Sequence, residues 1–158
     1  MDNGADLAII SGSGKLPKVI RNFYKKALQI NFSNSNSFKK TNVINCEFEK
    51  LGFLFDCLKK SGIKRVVMAG AIARPQLDKS KMDEYTRHLF SELSAKLVQG
   101  DNELLSFIAR EFEQKGYKIL GASDLVPNLT VDTGFVCGSA YEFLSRDINK
   151  ADSVLKIL

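Results

Sequence analysis

Two hydroxyls, two glycines and an ammonium group fall within five positions at Ser11-Gly12-Ser13-Gly14-Lys15, directly after the apolar run Leu7-Ala8-Ile9-Ile10. Glycines let a backbone approach a ligand closely, and the free amides that open a following helix offer donors and a positive dipole end to an anion. The spacing is not that of a Walker A loop, which puts four residues between its first glycine and Gly-Lys-Ser/Thr. Nor is it the dinucleotide fingerprint, because Pro17 stands where the third glycine would pack helix on strand. A tight strand-to-helix corner also asks for glycine, so the local pattern fits a phosphate cradle and a plain corner equally.

Two later stretches offer similar chemistry. In "AGAIARPQ", residues 69–76, Gly70 closes a β-branched run and Arg74 follows it. A guanidinium is shaped to hold phosphate or carboxylate bidentately, with Pro75 fixing the loop; an ordinary surface arginine is the alternative. In "QGDNELL", Gly100 and Asp101 precede a helical pattern. Asp101 can bind a metal or a substrate hydroxyl, although capping a helix is the commoner role of such an aspartate. The lone His88 has no neighbouring partner for a triad. Cys46, Cys57 and Cys137 are odd in number and lack the close pairs of a zinc site, so they fit reduced thiols used as small core residues.

The elements that must position these groups follow from periodicity. The unbroken run Leu7 to Ile10 predicts a strand buried on both faces. Leu16 to Leu28 predicts a helix, with Pro17 in its first turn and Leu16, Val19, Ile20, Phe23, Ala27 and Leu28 as its apolar side. A short strand fits Leu28 to Phe32, and the Ser/Asn-rich stretch Asn31 to Asn42 fits a flexible loop. Val43 to Cys46 predicts a strand, and Glu47 to Ser61 a helix closed by Gly62. Ile63 to Ala69 predicts another strand and Ser80 to Gln99 a helix, with Val98 among its apolar residues.

Glu103 to Lys115 predicts a further helix capped by Asp101 or Asn102, burying Leu105 among others and turning Glu111 to water. It ends at Gly116, and Tyr117 to Leu120 predicts a strand. Ala122 to Leu125 leads into the irregular "NLTVDTGFVCGS", and Ala140 to Leu158 predicts a last helix. Strands alternating with helices at these spacings imply right-handed crossovers, hence one Rossmann-like α/β domain with a parallel sheet and helices on both faces.

With 158 residues, 44% of them hydrophobic and 26% charged, the chain can fill a real core, and disorder is not indicated. A net charge of +5 suits anionic ligands or membrane surfaces, and on charge alone fits an ordinary basic soluble protein still better. No basic run interleaved with aromatics points to nucleic acid. The N-terminus lacks the pattern of a signal peptide and no run is long enough to span a bilayer, so a cytoplasmic location is expected.

In order and spacing, "LAIISGSGKLP", "FEKLGFLFDCLKKSGIKRVVMAGAIARPQL" and "QGDNELLSFIAREFEQKGYKILGASDLVP" resemble the N-terminal half of the LpxI-type UDP-2,3-diacylglucosamine diphosphatases. The resemblance implies a hydrolase of Gram-negative lipid A (lipopolysaccharide) biosynthesis that cleaves a phosphoanhydride, giving lipid X and UMP. It implies substrate contacts at Ser11, Gly12, Ser13, Gly14, Lys15, Gly70, Arg74, Gly100 and Asp101. It also implies a divalent metal, Mg²⁺, with no ligand set fully carried by this chain, and peripheral contact with the inner membrane.

Residues 1–130 would be the Rossmann-like substrate-binding domain, and 131–158 a linker and helix leading toward a C-terminal catalytic domain that the sequence does not contain. Such a truncated chain is expected to be inactive alone, with its catalytic residue in the other domain and a separate C-terminal half or a second copy as protein partner. The alternative is a non-catalytic nucleotide- or phosphate-binding domain, or an interaction module, derived from that family. Two departures stand out. The family's Ala-Gly-Gly-Gly-x-Leu-Pro has serines here at positions 11 and 13, and its Gly-Asp-Asp becomes Gly100-Asp101-Asn102, which keeps size and loses charge.

Overall fold

The computed structural model describes residues 3–32, 41–72, 76–126, 129 and 142–155. Five strands, β1 (Leu7–Ser11), β2 (Leu28–Phe32), β3 (Val43–Cys46), β4 (Arg65–Ala69) and β5 (Lys118–Leu120), form a sheet in the order β3-β2-β1-β4-β5. Every neighbouring pair is parallel. The helices are α1 (Leu16–Phe23), α2 (Leu51–Lys60), α3 (Glu84–Gln99), α4 (Asp101–Gln114), α5 (Ala122–Leu125) and α6 (Glu142–Leu155).

All five residues of β1 are buried, as its unbroken apolar run predicts. Alternate side chains leave the pleat on opposite sides. Ala8 and Ile10 join Leu54, Leu58 and Phe112 of α2 and α4 in one core. Leu7 and Ile9 join Ile20 of α1 and Leu125 of α5 in the other, so helices cover both faces. The parallel, doubly covered sheet expected from the alternation of elements is therefore the observed architecture.

Several boundaries differ from the periodic expectation. α1 stops at Phe23 rather than Leu28: the Tyr24 amide closes onto the Ile20 carbonyl, the Ala27 amide donates to the Tyr24 carbonyl, and Leu28 pairs with Ala8 in the sheet. Phe23 is exposed, as are Val98 and Leu105, three positions where an apolar residue does not mark the core. α2 begins at Leu51 because Glu47 to Lys50 form a turn, the Lys50 amide donating to the Glu47 carbonyl. It ends at Lys60 with Ser61 as its cap, where the Gly62 amide donates to the Lys59 carbonyl and the Ile63 amide to the Leu58 carbonyl.

α3 begins at Glu84, capped by Asp83, rather than at Ser80. α4 begins at Asp101, so neither Asp101 nor Asn102 is its cap; the single residue Gly100 separates α3 from α4 and terminates both. Glu111 does not simply face water, since it accepts a 2.7 Å hydrogen bond from the Tyr85 hydroxyl. Burial, with Glu111 beside it, pushes the Tyr85 phenol well above its ordinary range. The Lys115 ammonium lies 4.3 Å from the Tyr85 ring centre, a cation over an aromatic face.

Cys46 closes β3 inside the first core. Burial, reinforced by Cys57, Asp83 and Glu47, pushes its thiol up to about 12. The thiolate is the reactive form, so Cys46 is expected to resist alkylation at pH 8 in the folded chain and to react promptly in denaturant. Mass mapping of iodoacetamide adducts checks this, and rapid native labelling at Cys46 would contradict it. Cys137 lies outside the described residues.

Candidate functional site

The chain leaves β1 through α1 toward β2 and β3, and leaves β4 toward β5, so the sheet order reverses between β1 and β4. In open α/β sheets ligands sit outside the carboxyl ends of the strands at such a switch point. Two of the loops singled out by composition meet there. The Gly12 amide donates to the Ala69 carbonyl at 2.8 Å, and Ser13 and Ala71 exchange backbone bonds of 2.7 and 3.1 Å. The Ser13 hydroxyl adds a 3.1 Å bond to the Ala71 carbonyl.

This contact explains two of the glycines without any ligand. A Cβ at position 12 would stand 2.3 Å from the Ala71 carbonyl oxygen, and one at position 70 would stand 2.4 Å from that of Ser13. No side chain fits between backbones that close. The first loop is thus a corner clamped to its neighbour, and that clamp holds the start of α1 beside the end of β4. Lys15, the residue before α1, is exposed and makes no capping bond with its side chain.

Ser11, the last residue of β1, is buried, and its hydroxyl oxygen has no hydrogen-bond partner among the described residues. Parity places it on the α1 side of the sheet with Leu7 and Ile9. The hydrogen bonds joining the first two loops do not include Gly100 or Asp101 among the described residues. α4 leads into parallel β5 and so begins on the carboxyl side of the sheet. Arg74 lies outside the described residues.

Composition alone did not single out a polar row beside Ser11. Register pairs Ser11 with Asn31 of β2 and Asn31 with Asn45 of β3. The Gln29 amide nitrogen donates to the Asn31 side-chain oxygen at 2.9 Å, and the Asn31 amide nitrogen to that of Asn45 at 3.4 Å. Arg21 of α1 donates to Gln29 and, at 3.2 Å, to the Thr41 carbonyl. The signal was present in "LQINF", where Gln29 and Asn31 alternate with apolar residues.

Among the described residues no three His, Cys, Asp or Glu side chains gather to hold a metal ion. Two open hollows, of about 600 and 580 Å³, run beside α2, α3 and α4 and share Tyr85 and Lys115; no loop residue of the clamp lines them among the described residues. No helix among the described residues is long and apolar enough to cross a membrane.

The strand order, the doubly covered parallel sheet and the glycine loops clamped at its switch point define a Rossmann-like α/β domain. Its family follows from sequence: the LpxI N-terminal domain matches residues 6–129, and the chain belongs to that family. A relative is the UDP-2,3-diacylglucosamine pyrophosphatase LpxI of Caulobacter vibrioides (strain ATCC 19089 / CIP 103742 / CB 15), 24% identical over 134 residues. The match covers 81% of this chain and 48% of the relative, so the chain spans about half the length of that curated protein.

Proposed function

We propose that this chain is the substrate-binding, N-terminal half of a UDP-2,3-diacylglucosamine diphosphatase acting in lipid A biosynthesis. The observation that carries the reading is the clamp between the β1 and β4 loops, which sets Gly12 to Lys15 and the first amides of α1 at the switch point. A diphosphate is the group such amides, a positive helix end and an ammonium favour. Ser11, Gly12, Ser13, Gly14, Lys15 and Gly70 form its wall in this reading, with Arg74, Gly100 and Asp101 completing it. In this reading the metal and the catalytic acid belong to the family's second domain; among the described residues no three His, Cys, Asp or Glu side chains gather to hold a divalent ion. The net charge of +5 favours peripheral contact with an anionic membrane that holds the lipid substrate.

The chain alone is expected to release no UMP from UDP-2,3-diacylglucosamine, and to do so once a C-terminal half of the family is supplied in cis or trans. No turnover by the completed enzyme would overturn the reading. Lys15→Ala is expected to weaken binding of UDP roughly tenfold, the loss of one charge-assisted contact. Calorimetry measures it, and an unchanged affinity would remove Lys15 from the site.

A further inference from the structure

The polar row on the α1 side of the sheet has a direction. A guanidinium can only donate, so Arg21 fixes the Gln29 side-chain oxygen toward itself and turns the Gln29 NH₂ toward Asn31. Asn31 accepts that bond and points its own NH₂ at the Asn45 oxygen. Among the described residues the chain of amides therefore ends on the NH₂ of Asn45, an exposed residue. Ser11 begins the same row across the register, with a buried hydroxyl that nothing among the described residues engages.

The place of this row matters. Strands lie about 4.8 Å apart, so Asn45 on β3 stands roughly 10 Å from Ser11 on β1. Asn31 is the last residue but one of β2, the second strand of the order β3-β2-β1-β4-β5, nineteen positions after Gly12. In dinucleotide-binding sheets of this order, an acidic side chain about 20 residues beyond the first glycine accepts from ribose hydroxyls. Here the position carries an amide whose row ends in a donor, so the sugar would be met by N–H groups bonding to its hydroxyl oxygens.

We infer that Asn45, oriented by Arg21 through Gln29 and Asn31, binds the ribose of a nucleotide whose phosphate lies on the Gly12 to Lys15 loop. This rests on the reading of that loop as a phosphate site. Asn45 touches the ribose, and Arg21 is a positioning residue acting through Gln29 and Asn31.

The full chain is titrated calorimetrically with UMP, with 2′,3′-dideoxyuridine monophosphate and with pyrophosphate. The unaltered chain is expected to prefer UMP over the dideoxy compound about fivefold, the effect of one net hydrogen bond. Asn45→Ala, at an exposed position, should bring that ratio close to one and leave pyrophosphate affinity unchanged. Arg21→Met should lower the ratio in the same way. If Asn45→Ala keeps the ratio, or weakens UMP and the dideoxy compound equally, the row does not read ribose and the inference fails while the phosphate site stands. If the unaltered chain binds neither UMP nor pyrophosphate, the phosphate site fails and the inference falls with it.

Discussion

Gly70→Ala is expected to cost about 3 kcal/mol of folding stability, the sum of left-handed backbone strain and overpacking against a neighbouring backbone. For a chain of this size that is a fall of roughly 6–12 °C in melting temperature. Gly70 has φ +89, and its added Cβ would lie 2.4 Å from the Ser13 carbonyl oxygen and 2.9 Å from the Gly12 carbonyl carbon. Neither neighbour is a side chain that can turn away. Relief requires the β1 and β4 loops to part, breaking the paired bonds between Ser13 and Ala71. Gly14→Ala is the matched control: its φ is +102, but nothing stands within 4 Å of the new Cβ, so only strain of about 1 kcal/mol remains. Calorimetric melts of both variants test the clamp, and equal losses would show that contact between the loops contributes nothing.

That clamp also marks where sequence reasoning runs short. The buried strand at Leu7, the strand at Val43 and the glycine after Ala69 are legible because each depends on its own few residues. The demand for glycine at positions 12 and 70 arises between loops 58 residues apart, so local pattern shows two corners and not their contact. The start of α2 was missed for the same reason, whereas that of α1 at Leu16 was legible. The first amides of α2 are satisfied from α3, and nothing near Glu47 in the chain announces it. The amide row from Gln29 to Asn45 was half visible: alternation in β2 shows that one face is polar, but only register sets Asn31 beside Ser11 and Asn45.

Asp83→Ala is expected to destabilise the fold by about 3 kcal/mol, because one carboxylate caps two helices. Its Oδ1 accepts from the Thr86 amide at 2.8 Å, closing the first turn of α3, and from the Thr86 hydroxyl at 2.7 Å. Its Oδ2 accepts from the Phe53 amide at 3.1 Å, and the Gly52 amide also bonds to this carboxylate. The Thr86 hydroxyl, 0% exposed, in turn accepts from the Leu51 amide at 2.9 Å. Three opening amides of α2 are thus satisfied by two side chains that begin α3, and without them these donors, the buried Leu51 amide among them, lose their partners.

The carboxylate also makes the effect depend on pH. Burial pushes Asp83 upward, but bonds from the Thr86 hydroxyl and amide and from the Phe53 and Gly52 amides outweigh it, so the net shift is downward. A carboxyl lowered on folding contributes stability that is fully present above its unfolded value, near 3.9, and is lost as pH falls through the lower folded value. Asp83→Asn keeps the size and one acceptor oxygen without the charge. The stability gap between the native chain and Asp83→Asn should therefore be full at pH 7 and shrink once pH drops below about 4. Urea unfolding across that range measures it. A gap that stays constant would mean that the charge on Asp83 stabilises neither helix, leaving geometry alone as the reason for its place between them.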